Sequence, residues 1–332
     1  MYYILQWISY IILSSVALSI MGLSLLSALN TQHYFAMFLK VMIFILIGYQ
    51  ILYEGHKLVD LKSEIEDNNP KFKKNVIVFF SVVLGCLFTF VIANQLNLNS
   101  VLVAGLVGVV ASILFKKYQV PIYCGSFAGM ASSLIFNDIS LIFISALFTG
   151  FLFVAAQEVF NGFGGKLGAM AFFGTFLTAL ISNSYQDTYL QIKIFIEVEI
   201  IICFILGAVL TNQLHLITKK TTVFTSGILG VLAGVILPVL SKDYGLILSA
   251  ALFSGAFLGM TKKDHFEKFI YFFIASIFGG IIFVYSQPYF NGLGGKLGAI
   301  AFISSIAMTS LKHFILVIKE NIVFTQNKND NM

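Results

Sequence analysis

Arginine is absent from this chain; all twenty of its basic residues are lysine. Charge of either sign is scarce, at 11% of residues, where soluble domains carry roughly 25%. Cysteine is scarce too. Cys86, Cys124 and Cys203 each stand inside an apolar run without metal-ligand spacing, which excludes a disulfide framework and a zinc site. The five histidines (33, 56, 215, 265 and 313) form no ligand pairs. There is no Ser/His/Asp set and no HExxH, and the lysine of the Gly-Gly-Lys-Leu-Gly motif lacks the spacing and the following Ser or Thr of a P-loop. An enzyme has no parts to work with here, and no cofactor is expected. No lysine precedes Lys40, so the start lacks the basic region of a cleavable signal peptide and is read as a retained helix. The net charge of +5 is no nucleic-acid signal, because the lysines fall between apolar runs instead of along one face.

What the chain has in abundance is apolar length. Hydrophobic residues make up 58% of it, with a mean hydropathy of +0.93. Apolar runs of about 20 residues, each long enough for roughly 30 Å of hydrocarbon, recur along it. The prediction is an all-α polytopic membrane protein of about twelve transmembrane helices. Two of them, at 4–29 and 34–53, form an N-terminal pair (1–53) joined by a turn at 30–33. A polar stretch at 54–75 carries five lysines and reads as a solvated cytoplasmic connector. Ten further apolar segments follow, at 76–95, 100–115, 119–136, 139–158 and 167–182, then 194–211, 222–241, 245–260, 268–286 and 297–318. Residues 319–332 form a tail. With the connector inside, sixteen lysines fall on the cytoplasmic side and three on the other, as the positive-inside rule requires. Both termini are then cytoplasmic, in a bacterial inner or plasma membrane. The bilayer is the certain partner, and a homo-oligomer is left open.

The ten segments contain a duplication. Phe160-Asn161-Gly162-Phe163-Gly164-Gly165-Lys166-Leu167-Gly168-Ala169-Met170-Ala171-Phe172 returns 130 residues later as 290–302, identical at eleven of thirteen positions. Seven of the twenty residues before each copy match, and none of the ten after. Gly125-x3-Gly129 pairs with Gly255-x3-Gly259, Asn94-Gln95-Leu96 with Asn212-Gln213-Leu214, and Gly105-x2-Gly108 with Gly227-x2-Gly230. One module therefore occurs twice, at 76–193 and 194–318. Five crossings per copy, or three if 100–136 is a re-entrant hairpin, is an odd number, so the second copy is expected upside down. Inverted repeats typify secondary transporters and some channels, whose site lies near the midplane where broken helices meet.

The glycine loops are the candidate solute site: Asn161, Gly162, Gly164, Gly165, Lys166 and Gly168, with Asn291, Gly292, Gly294, Gly295, Lys296 and Gly298. Asn-Gly stops a helix in the left-handed conformation, Gly-Gly reverses the chain, and the lysine opens the next helix. Two readings remain open. One is a tight helix–turn–helix with a snorkelling lysine. The other is a cavity-lining break in which freed N–H groups, a helix N-terminus and the lysine converge on a solute, favouring an anion. Gln157 and Gln287, one helical turn earlier, either extend this lining or bond across a helix pair. Glu197 and Glu199, near the start of an apolar segment, are candidates for cation or proton coupling if they lie within the bilayer; otherwise they face headgroups. The Gly-x3-Gly pairs read as helix-packing sites. The function expected is transport of a small solute between inverted repeats, with a passive channel or a non-transporting membrane enzyme or assembly subunit as alternatives.

Overall fold

Backbone within hydrocarbon must satisfy its own hydrogen bonds, which leaves helices or a closed barrel. The computed structural model describes residues 2–29, 34–60, 62, 72–184 and 196–330, and among the described residues every regular element is a helix. There are twelve: α1 (Tyr2–Leu29), α2 (Tyr34–Asp60), α3 (Phe72–Gln95), α4 (Ser100–Leu114), α5 (Gln119–Ala128), α6 (Ile139–Ala155), α7 (Lys166–Ile181), α8 (Glu197–Thr218), α9 (Thr222–Leu240), α10 (Gly245–Leu258), α11 (Phe269–Tyr285) and α12 (Lys296–Asp330). Six of these (α1, α2, α3, α8, α9 and α12) contain stretches long and apolar enough to cross a membrane. By length and composition the chain is a helical membrane protein. Five others are apolar but shorter, and α5, at ten residues, rises only about 15 Å.

Polar residues that punctuate the apolar runs cap three of the helices. Asn99 Oδ1 accepts from Val101 N at 3.0 Å to start α4, and Asp138 Oδ1 accepts from Ser140 N at 3.0 Å to start α6. Thr221 does the same for α9 through Phe224 N, at 3.3 Å. Each satisfies a donor that the first helical turn leaves open.

Several boundaries differ from the sequence reading: α12 runs on to Asp330 through the expected tail, α8 runs on to Thr218, α3 begins at Phe72 within the expected connector, and two further differences bear on packing. First, α2 runs on to Asp60, so the expected connector begins inside a helix, with Glu54 and Leu58 buried. The stripe Ile43, Ile47, Ile51, Leu58 keeps helical spacing past the point where composition turns polar. Second, the apolar run 119–136 is longer than its helix, because α5 stops at Ala128 in a tight turn (Met130 N to Phe127 O, 3.3 Å; Ala131 N to Ala128 O, 3.1 Å). The turn at 30–33, residues 63–71 of the connector and residues 185–195 at the junction of the two modules lie outside the described residues.

The Gly-x3-Gly pairs are packing sites. Any Cβ on Gly125 or Gly129 would overlap the α3 carbonyls of Val82 and Cys86. On Gly255 or Gly259 it would overlap those of Phe204 and Ala208 on α8. Small residues let backbones approach where hydrocarbon offers no hydrophobic drive. Seated this closely, α5 and α10 bring four buried aromatic rings together. Tyr123 and Phe127 are 4.4 Å apart between centroids, Phe253 and Phe257 4.3 Å, and Phe127 and Phe257 4.4 Å across the pair. The hydroxyl of Ser226 on α9 donates to the Tyr123 hydroxyl at 3.1 Å.

Candidate functional site

Each glycine loop links a helix end to a helix start: α6 to α7 for the first, α11 to α12 for the second. Lys166 and Lys296 are the first residues of α7 and α12. Ahead of each lysine, Gly165 (φ +80°) and Gly295 (φ +82°) take the left-handed conformation, which costs an L residue about 1–2 kcal/mol and a glycine nothing. The side chains of both lysines fold back over their own loops. Lys166 Nζ donates to Ala156 O at 2.6 Å. Lys296 Nζ, 130 positions later, donates to Ser286 O at 2.9 Å, Tyr289 O at 2.6 Å and Asn291 Oδ1 at 3.3 Å. Lys296 is buried and Lys166 partly so.

Each loop is held by the other copy. Thr175 Oγ1 donates to Gly294 O at 2.8 Å, and the equivalent Ser305 Oγ donates to Gly164 O at 3.1 Å. Lys262 N donates to Gly162 O at 2.9 Å, and Ser132 N donates to Gly292 O at 2.8 Å. Gly164 packs against the carbonyls that end α10 (Phe257 and Leu258), and Gly294 against those that end α5 (Phe127 and Ala128). Between the loops, α7 and α12 cross with Gly168 and Gly298 in backbone contact. These contacts of one loop have their counterparts on the other with the copies exchanged.

Two cavities open onto the loops. The first, of about 470 Å³, is walled by Gln157, Asn161, Gly162, Gly164, Gly165 and Lys166 from loop 1, with Phe127, Asn212, Phe257, Met260, Lys262 and Lys263. The second, of about 450 Å³, is walled by Gln287, Asn291, Gly292, Gly295 and Lys296 from loop 2, with Asn94, Met130, Ser132 and Ser133. Of the predicted loop residues, Gly168, Gly298 and Gly294 fall outside both walls: the first two form the crossing, and Gly294 is seated on the end of α5. The end of α10 and the starts of α5 and α9 border cavity 1, while the end of α5 and the starts of α10 and α4 border cavity 2. Phe127 and Phe257 form the inner wall of cavity 1; no ring of the buried quartet lines cavity 2.

Among the described residues no carboxylate lines either cavity. The polar groups offered are backbone N–H, amide and ammonium, a set suited to an anion or a neutral polar solute. At the edge of cavity 1, the ring Nε2 of His265 lies 3.0 Å from Asn161 O, so it carries the proton. Burial holds that imidazole below its ordinary pKa and keeps it neutral near pH 7. On the same turn, Glu267 is held below the usual carboxylate range by the 2.8 Å hydrogen bond from Lys312. Among the described residues no cluster of His, Cys, Asp or Glu suits a metal ion.

Glu197 and Glu199 lie in the first turn of α8, Glu199 exposed and Glu197 half-buried, and neither lines a cavity. The N-terminal pair supplies an acid that composition hid. Glu54, 7% exposed, accepts from Gln50 Nε2 at 3.3 Å and shares a small cleft behind loop 1 with Tyr10, Lys57, Glu158 and Phe160. Tyr10 stacks on Phe160 at 5.7 Å, and Gln6 Oε1 accepts from Glu158 N at 3.2 Å. The sequence signal for this was the uninterrupted isoleucine stripe of α2, which carries a glutamate into a packed face. Also fully buried is Lys40 of α2, whose Nζ sits 3.2 Å over the Tyr285 ring and donates to Ser24 O at 3.2 Å. Neither contact was legible from spacing.

Compared with known proteins, this chain matches no family model, no curated protein and no solved structure.

Proposed function

We propose that the protein is a membrane transporter for a small anion, working between two copies of one module inserted in opposite orientations. The observation that carries this reading is the exchange of partners between the glycine loops. Contacts in which residue i of one copy meets residue j of the other, and j meets i, are isologous and imply a two-fold relation. An axis lying in the membrane plane makes the copies inverted, and it directs the two cavities to opposite faces.

The five-plus-five arrangement after an N-terminal pair follows, with α4 and α5 either crossing or re-entering. Alternating access is favoured over an open pore, because four packed aromatic rings lie between α5 and α10 where a conduction path would run. An anion is favoured because each cavity meets a lysine and the positive end of a helix and, among the described residues, no carboxylate. The test is flux in proteoliposomes of purified protein, with chloride, nitrate, phosphate and short carboxylates supplied one at a time inside an imposed gradient. Saturable uptake of at least one of these supports the reading. Leak no greater than in protein-free vesicles for all of them, from correctly folded protein, removes it.

A further inference from the structure

The two cavities are floored by equivalent loop residues but differ in their walls. Where cavity 1 carries Lys262 and Lys263, cavity 2 carries Ser132 and Ser133 at the equivalent positions. Lys262 is fixed over the loop: its Nζ donates to Asn161 Oδ1 at 3.3 Å, while its backbone N–H holds Gly162 O. Its charge therefore stays at the cavity. The other groups facing this space are Lys166, which begins α7, and His215, at the end of α8 with its ring against Lys220 O. The acids nearest in sequence are Asp264 and Glu267, and Glu267 is already paired with Lys312.

We infer that Lys262 and Lys263 make cavity 1 an anion-gathering mouth, while cavity 2, with Lys296 as its one lining lysine, is less positive, so that anions load preferentially from the cavity-1 side. The role in transport rests on the function proposed above. The electrostatic asymmetry is a property of the cavities alone. Concave walls of low dielectric focus field lines and raise the local concentration of counter-ions. Every point in a cavity of about 470 Å³ lies within one Debye length of its wall, roughly 8–10 Å at physiological salt. Both lysines are exposed, so the effect must weaken as salt rises.

The experiment reads the potential directly. Met260 lines cavity 1 and Met130, its equivalent, lines cavity 2. In full-length protein with Cys86, Cys124 and Cys203 replaced, Met260→Cys or Met130→Cys is reacted with sulfonate-bearing and trimethylammonium-bearing methanethiosulfonates of similar size. At low salt the anion-to-cation rate ratio at position 260 is expected to exceed that at 130 by on the order of tenfold, and to converge on it near 1 M salt. Lys262→Ser with Lys263→Ser should lower the cavity-1 ratio to the cavity-2 value. Ser132→Lys with Ser133→Lys should raise the other. Equal ratios in the two parent proteins, or a cavity-1 ratio indifferent to salt and to the serine swap, overturn the proposal. If the swapped protein does not fold, the two parent ratios and their salt dependence still decide. Labelling requires no transport, so absent flux with an intact ratio removes only the transport reading, and equal ratios with intact flux remove only this one.

Discussion

Replacing Gly165 by alanine probes the point where the two copies touch. The residue sits at φ +80°, where an L side chain costs about 1–2 kcal/mol. Its new methyl would also land on Gly298 O and Phe302 N of α12, with Ala301 Cβ 2.8 Å away. These atoms are backbone on a packed helix, so they cannot swing aside, and overpacking of this kind costs about 1–3 kcal/mol. The expected total is about 2–5 kcal/mol. Thermal unfolding in detergent should show a midpoint lower by roughly 4–10 °C, taking about 2 °C per kcal/mol for a chain of this size. Gly48→Ala is the control: a Cβ there meets nothing within 4 Å, and alanine is the better helix former by about 1 kcal/mol. Gly295→Ala should cost as much as Gly165→Ala, since it meets Phe172 N and Gly168 O in the exchanged contact. The double variant should cost less than the sum, because the first methyl has already parted the helices. Stability of Gly165→Ala equal to that of Gly48→Ala, or strict additivity of the pair, would refute the shared crossing.

Three further outcomes follow from the same geometry. Lys166→Gln and Lys296→Gln should reduce flux by tenfold or more, about 1.4 kcal/mol, while expression persists; wild-type rates in both would assign the lysines to loop closure alone. Phe127→Ala should cost about 3–5 kcal/mol of stability and, by deepening cavity 1 between the rings, admit a passive ion leak that wild-type vesicles lack, measured with a trapped ion-sensitive dye. Glu54→Gln preserves shape and a bond to Gln50, so unfolding should change little, whereas the pH dependence of flux should flatten if that carboxylate couples to loop 1; an unaltered pH profile gives it a packing role.

Much of the helical content was legible because apolar runs of membrane length have one local solution. Caps at Asn99, Asp138 and Thr221 stand where the runs break, and both glycine loops end at the lysine that opens the next helix. The duplication located the loops, yet it did not reveal that each is clasped by its opposite number. Thr175 and Ser305 look like unremarkable helix hydroxyls until they bond across the crossing. Helical spacing says which face a residue occupies, not what that face meets. Glu54 and Lys40 were hidden for the same reason. One stood among polar neighbours and the other in an apolar run, and only tertiary packing gives Glu54 its cleft behind Phe160 and Lys40 the face of Tyr285. Lys262 and Lys263 read as ordinary positive-inside residues, since nothing in their spacing aims them at a loop 100 residues away.

The most direct test of the inverted arrangement is the side from which each loop is reached. In the cysteine-free chain, Asn161→Cys and Asn291→Cys report on cavities 1 and 2, and each is labelled with a membrane-impermeant maleimide in sealed right-side-out and inside-out vesicles. The account predicts that position 161 is modified from the cytoplasmic side and position 291 from the opposite side. Both sites labelling from one face would contradict it.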